Sequence, residues 1–363
     1  MSQVPTQQVQ SIEQRMDQPA DEQHASPAQE QAPSATTRQE VHVVAAGPSV
    51  ITDLGRFRGP SQGLSVNGAL DQYAATVANV LVGNPANAPL LEVTAFGVTL
   101  SSSAPLLVAV TGAGAEVLID GAAVAGHTQL LVPAGQALVV RPAKNGLRNY
   151  VAVRGAIEAP RLMGSCAPDI MLGFGRTLTT GATVHVHTDA VAHALQQAPW
   201  QAVSAPVRLP RRTEAGEVVL QIVEGPDVHE FDGGLSALES GTYKLSPRSN
   251  HVGARLAGPV PRRTATGEVL SRGVPIGAVE VPAGDELLVL MRGRGITAGY
   301  PVLAVLTGSA QDAAAQIRPG QSVRFERTDV ETARAELLQV AADVDALRAQ
   351  VTRALRHVDA PLT

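Results

Sequence analysis

From Val41 onward, short apolar runs alternate with Gly, Pro, Asn and Asp. Runs at 106–110, 116–119, 129–132, 137–141 and 150–153 are each of strand length. This spacing predicts sheets or barrels rather than helices. One early helix is expected at 71–82, where Tyr73, Val77, Val80 and Leu81 share a face and Gly83-Asn84 ends it. A second β-rich block starts near Val207 and runs to Phe325, and 190–205 reads as a linker holding a helical turn or two. Two weak internal echoes, Val132-Pro-Ala-Gly with Val281-Pro-Ala-Gly and Arg211-Arg-Thr with Arg262-Arg-Thr, are read as shared turn chemistry, not as a repeat.

Both ends differ in pattern. Residues 1–40 hold ten Gln, four Pro, four Glu and no aromatic residue. Such a segment cannot bury enough apolar surface to offset the entropy of ordering it, so a disordered tail is expected. After 327, Val330, Ala333, Leu337, Val340, Val344, Leu347, Val351 and Ala354 keep a 3,4 spacing. That is a heptad seam, which either packs on the protein's own surface or pairs with another helix. Thr328-Asp-Val-Glu331 reads as its capping box, with Thr328 as N-cap. The expected division is therefore a tail at 1–40, β-rich regions at 41–205 and 206–327, and a helix at 328–358.

Composition narrows the function classes. Aromatic residues are 3% of the 363, so the core must be aliphatic. A net charge of −5 argues against nucleic-acid binding, which needs a basic face. The single cysteine, Cys166, excludes an intramolecular disulfide and fits a reducing compartment. No apolar run approaches a membrane span and no secretory leader is recognisable, so a cytoplasmic protein is expected.

Several chemistries lack their residues. The two lysines, Lys144 and Lys244, sit in neither a phosphate loop nor a biotin-acceptor site. Gly293-Arg-Gly-Ile-Thr-Ala-Gly has partial dinucleotide-loop spacing, but a strand pattern at 302–306 comes next, where a helix is needed. His185 and His187 lack a third ligand nearby, and no metal site is expected. Cys166 has no activating base in sequence, and no serine sits in a nucleophile elbow.

Residues 52–71 combine four glycines, two aspartates and two arginines. Together with motifs further along the chain, they resemble the biotin-dependent carboxyltransferase family, which includes the C subunit of 5-oxoprolinase, the KipA proteins and allophanate hydrolase subunit 2. The matching residues run in order: Asp53-Leu-Gly55-Arg56, Asn67-Gly68-Ala-Leu-Asp71, Ala78-Asn79-Val-Leu-Val-Gly83-Asn84, Glu92-Val-Thr94, and Tyr150-Val-Ala-Val-Arg154-Gly155. Leu162-Met-Gly164-Ser165, Glu224-Gly225-Pro226, Ser249-Asn250-His251-Val-Gly253-Ala-Arg255-Leu256-Ala-Gly258, Thr297-Ala-Gly299-Tyr300-Pro301 and Ala315-Gln316-Ile-Arg-Pro319-Gly320 continue the series. The resemblance covers nearly all of 41–327.

It implies a mainly β fold with a cyclophilin-like β-barrel, in two β-rich subdomains with few short helices and a C-terminal helix. It implies a B-type, KipI-like partner subunit and a small amide, urea or lactam substrate, with no nucleic acid or membrane. The activity implied is ATP-dependent 5-oxoproline cleavage or carboxyl transfer of the urea/allophanate type. No covalent cofactor is implied; ATP could act in the complex, and carboxybiotin could arrive on another chain. Asp53, Arg56, Arg255 and Glu280 are the expected catalytic residues, and Gly55, Asn250, His251, Arg294 and Tyr300 the expected substrate-binding ones. Guanidinium groups and bare backbone can stabilise charge on an amide oxygen, so Arg56 and Arg255 are expected to grip one pocket. The 52–71 stretch also admits a structural Asp–Arg pair, and Arg255 a supporting ion pair.

The chain departs from the family pattern at polar positions: Thr52, Ala156, Cys166, His251, Glu280, Gly293 and Ala298 stand where other residues are usual. Cys and His cannot replace planar bidentate donors. An alternative expectation is thus a non-catalytic, KipA-like partner-binding protein with a degenerate site.

Overall fold

The computed structural model describes residues 36–197 and 199–359, with the side chains of 357–359 outside the description. Most of the expected tail, 1–35, lies outside the described residues. Its last residues are not tail, because the first strand starts at Thr37.

The chain from Thr36 onward packs as one unit. Its first part supplies β1 (Thr37–Ala46), β2 (Ser49–Thr52), β3 (Leu90–Thr94), β4 (Val98–Ser101), β5 (Leu106–Gly112), β6 (Val117–Ile119), β7 (Ala122–Val124), β8 (Gln129–Val132), β9 (Ala137–Val140), β10 (Arg148–Val153), β11 (Arg176–Leu178) and β12 (Thr183–Thr188). Helices α1 (Gln72–Leu81) and α2 (Val191–Gln197) belong to the same part. These strands form two six-stranded sheets, β12-β1-β4-β9-β6-β7 and β11-β2-β3-β10-β5-β8.

Strand chemistry explains the layering. β1 alternates, burying Val41 and Val43 while Glu40 and His42 face water, as a half-covered strand should. β5 and β10 are buried throughout, because both faces of their sheet are covered. Val108, Val110, Val151 and Val153 pack against Val41, Val43, Leu100 and Val140 of the other sheet. Leu107, Ala109, Tyr150 and Ala152 point the opposite way, against Ala75, Ala78 and Leu81 of α1. Small residues on α1 let it lie close to the sheet, and Asp71 caps it by accepting from the Ala74 N–H.

The second part supplies β13 (Val218–Glu224), α3 (Leu235–Glu239), β14 (Tyr243–Leu245), β15 (Gly253–Ala257), β16 (Arg272–Gly273), β17 (Ala278–Glu280), β18 (Glu286–Leu290), β19 (Thr297–Ala298), β20 (Val302–Leu306), α4 (Gly308–Ala315), β21 (Ser322–Arg327) and α5 (Val330–Asp359). Seven of these strands close into a barrel, β13-β20-β17-β18-β15-β14-β21, sealed by the parallel pairing of β13 with β21. Leu220, Leu256, Val279, Leu287, Leu303 and Phe325 fill it. Leu70, from the loop before α1, packs into the same core, so the 52–71 stretch reaches the barrel.

Helix α5 is capped by Asp329, which accepts from the Thr332 N–H at 2.6 Å; Thr328 instead pairs with strand β13 through its own N–H. The capping box is thus displaced by one residue. Leu347 and Val351 of the seam, with Leu355 beside it, pack on α1 and α2, so this part of the helix meets the protein's own surface. Leu338 remains exposed.

Candidate functional site

The glycines of the 52–71 stretch serve the chain itself. Gly55 (φ +120°) and Gly68 (φ +94°) lie where residues 54–56 and 66–68 run side by side. A Cβ at Gly55 would meet the Asn67 oxygen at 2.7 Å, and one at Gly68 the Leu54 oxygen at 2.5 Å. Only glycine permits that approach at these dihedrals.

Asp53 and Arg56, expected to face substrate, are both fully buried. Asp53 Oδ1 accepts from the Gly55 N–H (2.9 Å) and the Ser165 hydroxyl (2.7 Å), and Oδ2 from the Cys166 N–H (2.8 Å). Arg56 donates to the carbonyls of Leu162 (3.1 Å), Ser65 (3.3 Å) and Ala167 (3.0 Å), faces Asp169 at 3.5 Å, and lies over the Phe174 ring. The two residues fasten loop 162–169 to the 52–71 stretch. Cys166 lies in that loop, buried, and burial with the Asp53 charge pushes its thiol far above the usual range.

Arg255 is elsewhere. Its side chain is 45% exposed on β15 and faces Glu286 at 3.7 Å, sharing no partner with Arg56. The structure does not bring these two arginines to one pocket. Asn250 shapes the turn before β15 by accepting from the N–H groups of Val252 (2.8 Å) and Gly253 (3.2 Å). Arg294 is buried and donates twice to the Val274 carbonyl. Tyr300 is 46% exposed. Glu280 is buried on β17, its Oε1 without a protein partner, and burial lifts its carboxyl to about 7.

His251 leads to a different centre. Its Nε2 lies 3.2 Å from Glu92 Oε1, with its side chain 31% exposed and Glu92 buried. Glu92 Oε2 accepts from the Tyr150 hydroxyl (2.8 Å) and the Leu70 N–H (3.1 Å). Oε1 has no aligned donor, although Arg148 Nε is 3.4 Å away. The Tyr150 hydroxyl in turn accepts from the Asp71 N–H at 2.9 Å. Burial raises Tyr150 well above its ordinary range, so the phenol keeps its proton. Burial lowers His251, with the Glu92 charge opposing and Arg148 assisting, so the imidazole is neutral near pH 7.

Around this pair the two halves of the chain interlock. Gln316, after α4, donates to Asp71 Oδ2 (2.7 Å) and accepts from the N–H groups of Leu147 and Arg148. Arg148 also donates to the Ala315 carbonyl. Burial raises both Asp71, to about 6, and Asp312, well above its usual range; the Glu92 charge adds to the first and the Asp71 charge to the second, so Asp312 keeps its proton near neutral pH. A cleft of about 360 Å³ opens on Asp71, Asp312 and Gln316, walled by Arg208 and α5. Arg292, buried, donates to the carbonyls of Asn67 and Leu54 and ties the barrel to the 52–71 stretch.

Of the expected site residues, only His251 joins this centre. Glu92, Tyr150 and Asp71 stand in the motifs that carry the resemblance, but in sequence Asp71 reads as a helix-end residue. Gln316 stands in the Ala315-Gln316-Ile-Arg-Pro319-Gly320 segment of the same series, whereas Arg148 and Asp312 stand in none of those motifs. The centre therefore holds a buried carboxylate, a neutral imidazole reaching solvent, and a guanidinium beside them. That set can hold and move a proton at the His251 ring.

Known proteins share this architecture. Residues 62–327 match the carboxyltransferase domain, subdomain A and B. The chain is 35% identical over 294 residues to the C subunit of the Escherichia coli 5-oxoprolinase, covering 78% of this chain and 90% of that one. It is 29% identical over 290 residues to the C subunit of the Haemophilus influenzae 5-oxoprolinase, with the same coverage. The crystal structure of TTHA0988 superposes with a TM-score of 0.69 at 30% identity, over 84% of this chain and 60% of that one. The Kluyveromyces lactis urea amidolyase shares the fold, with a TM-score of 0.73 at 20% identity over 86% of this chain. This chain spans 20% of that enzyme's length. By sequence match and by fold, the chain belongs to the carboxyltransferase domain family, subdomains A and B.

Proposed function

We propose that the chain is the C-type subunit of an ATP-dependent 5-oxoprolinase, acting with a B-type partner subunit on a small lactam. The single observation that carries the reading is His251 set against the buried Glu92 where the sandwich meets the barrel. Similarity to the C subunits of two proteins named as 5-oxoprolinases, over 78% of this chain and 90% of each of them, supports the substrate class. Neutral His251 exchanges a proton with the lactam amide, while Glu92 fixes the ring and balances the charge it acquires. Tyr150 and the Leu70 N–H hold Glu92 in place from the other side.

Among the described residues no lysine sits in a phosphate-loop pattern. Lys144 faces Glu116 on the surface, and no glycine-rich phosphate loop precedes a helix. We therefore assign ATP binding to the partner, and no step of this reading passes through it. The exposed apolar residues Ile170, Met171 and Leu172, in the loop anchored by Arg56, offer a surface for that partner.

The test is reconstitution of this chain with its B-type partner, 5-oxoproline and ATP, with glutamate as readout. Wild type should turn over, and His251→Gln should lose about 100-fold or more, the usual worth of a general acid–base group. An intact wild-type complex that forms no glutamate would exclude this function.

A further inference from the structure

A second cavity, of about 160 Å³, lies where β5 ends and β10 begins. It is lined by Val110, Thr111, His127, Asn149 and Val207, with glycine and alanine backbone completing the wall. None of its lining side chains is charged at neutral pH. Asn149 and Tyr150 are consecutive on β10 and so point to opposite faces. The Asn149 side chain thus faces away from the Glu92 centre, while Thr111, opposite Tyr150, and Val207, which also walls the Asp71 cleft, complete the lining.

Thr111 donates to the Ala74 carbonyl, but two other polar side chains of the lining hold unsatisfied atoms. Asn149 is 1% exposed, and neither its amide oxygen nor its amide nitrogen has a partner. His127 is 7% exposed and held in the left-handed region at φ +55°. Its N–H donates to the Val110 carbonyl (2.7 Å), and its carbonyl accepts from the Ala205 N–H (2.8 Å). Ring Nε2 meets the Gly112 carbonyl at 3.3 Å, so that nitrogen carries the proton. Nδ1 is left as a bare acceptor without a partner. Burial lowers this imidazole too and keeps it neutral. Three buried orphans beside one cavity are costly, since each unmet group gives up about 1–3 kcal/mol of desolvation. Native proteins rarely leave such groups without water or ligand. The segment 203–205 is tied across the site by bonds to Thr128 and Gln129, and half-exposed Val207 closes it.

We propose that this cavity binds a small neutral amide against the Asn149 side chain. A carboxamide offers a donor and an acceptor side by side, which is the complement of another amide edge. A carboxylate would be left without a cation and is disfavoured by burial. The site is separate from the Glu92–His251 pair and does not depend on the reaction proposed for it.

Acetamide and acetate, equal in shape and different in charge, are the probes. In nitrogen-labelled full-length protein, acetamide should shift the Asn149 side-chain amide resonance saturably, and acetate should not. Asn149→Leu should weaken acetamide binding at least about tenfold, about 1.4 kcal/mol. The same variant should fold at least as stably as wild type, because it removes two orphaned atoms. Glu92→Gln should leave acetamide binding intact, which separates this site from the catalytic reading. The proposal is overturned by absence of saturation in wild type, by equal binding of acetate, or by binding that survives Asn149→Leu. It is likewise overturned by a crystal soaked in acetamide that shows only ordered water at Asn149.

Discussion

Replacing Arg56 by leucine separates a structural role from a catalytic one. The guanidinium is fully buried and serves three carbonyls and Asp169. Breaking a buried ion pair from one side costs about 3–5 kcal/mol, because a charge is left uncompensated. Here the lower end applies. Asp169 keeps the Asn67 amide at 2.9 Å and the N–H groups of Met171 and Leu172, so its carboxylate is not stranded. Leu162 also keeps the Ser165 N–H, and leucine restores part of the buried volume. A loss of about 3 kcal/mol is expected, read by guanidinium unfolding as a lower midpoint with an unchanged slope. Activity per folded molecule should change little, with KM for the lactam within about twofold, a difference of less than 1 kcal/mol. A variant of wild-type stability that has lost turnover would refute the reasoning and return Arg56 to the substrate.

Two further outcomes rest on buried titratable groups. Glu280 rises from 4.5 to about 7 in the fold, so the folded form holds its proton more tightly than the unfolded one. Wild-type stability is then fullest below 4.5 and falls as pH rises toward 7. Glu280→Gln escapes that fall and should gain on the order of 3 kcal/mol over wild type above pH 7, with no gain at acid pH. A gain independent of pH across that window would contradict the assignment. Cys166, 2% exposed with its thiol pushed up, should resist iodoacetamide in native protein at pH 8 and label only on unfolding. Rapid native labelling would show that loop 162–169 opens.

Much of the fold is legible in the sequence because it rests on local pattern. The 129–132 and 302–306 runs are β8 and β20 without change, and the Asp71 cap begins α1 as expected. The candidate site is less legible, for a physical reason. Charge beside glycine marks a polar loop, but not which way its side chains turn. Arg56 turns inward because the carbonyls of Ser65 and of the distant 162–167 segment need a donor. Glu92 lies within a run, Leu90–Thr94, that reads as an ordinary buried strand. Its partners come from β10, the loop before α1 and the turn before β15, three segments that only the tertiary fold brings together. The signals in sequence that point there are the motif residues Glu92, Tyr150, Asp71 and Gln316 and, as a departure from the family pattern, His251.

The proposed chemistry requires Glu92 and His251, 3.2 Å apart, to act as one electrostatic unit. A pH titration of the His251 ring proton by NMR, in wild type and in Glu92→Gln, measures that coupling directly. Burial should place the wild-type midpoint below 6.5, and removal of the opposing Glu92 charge should lower it further. A midpoint that does not move with Glu92, or one above 6.5 in wild type, would contradict the account.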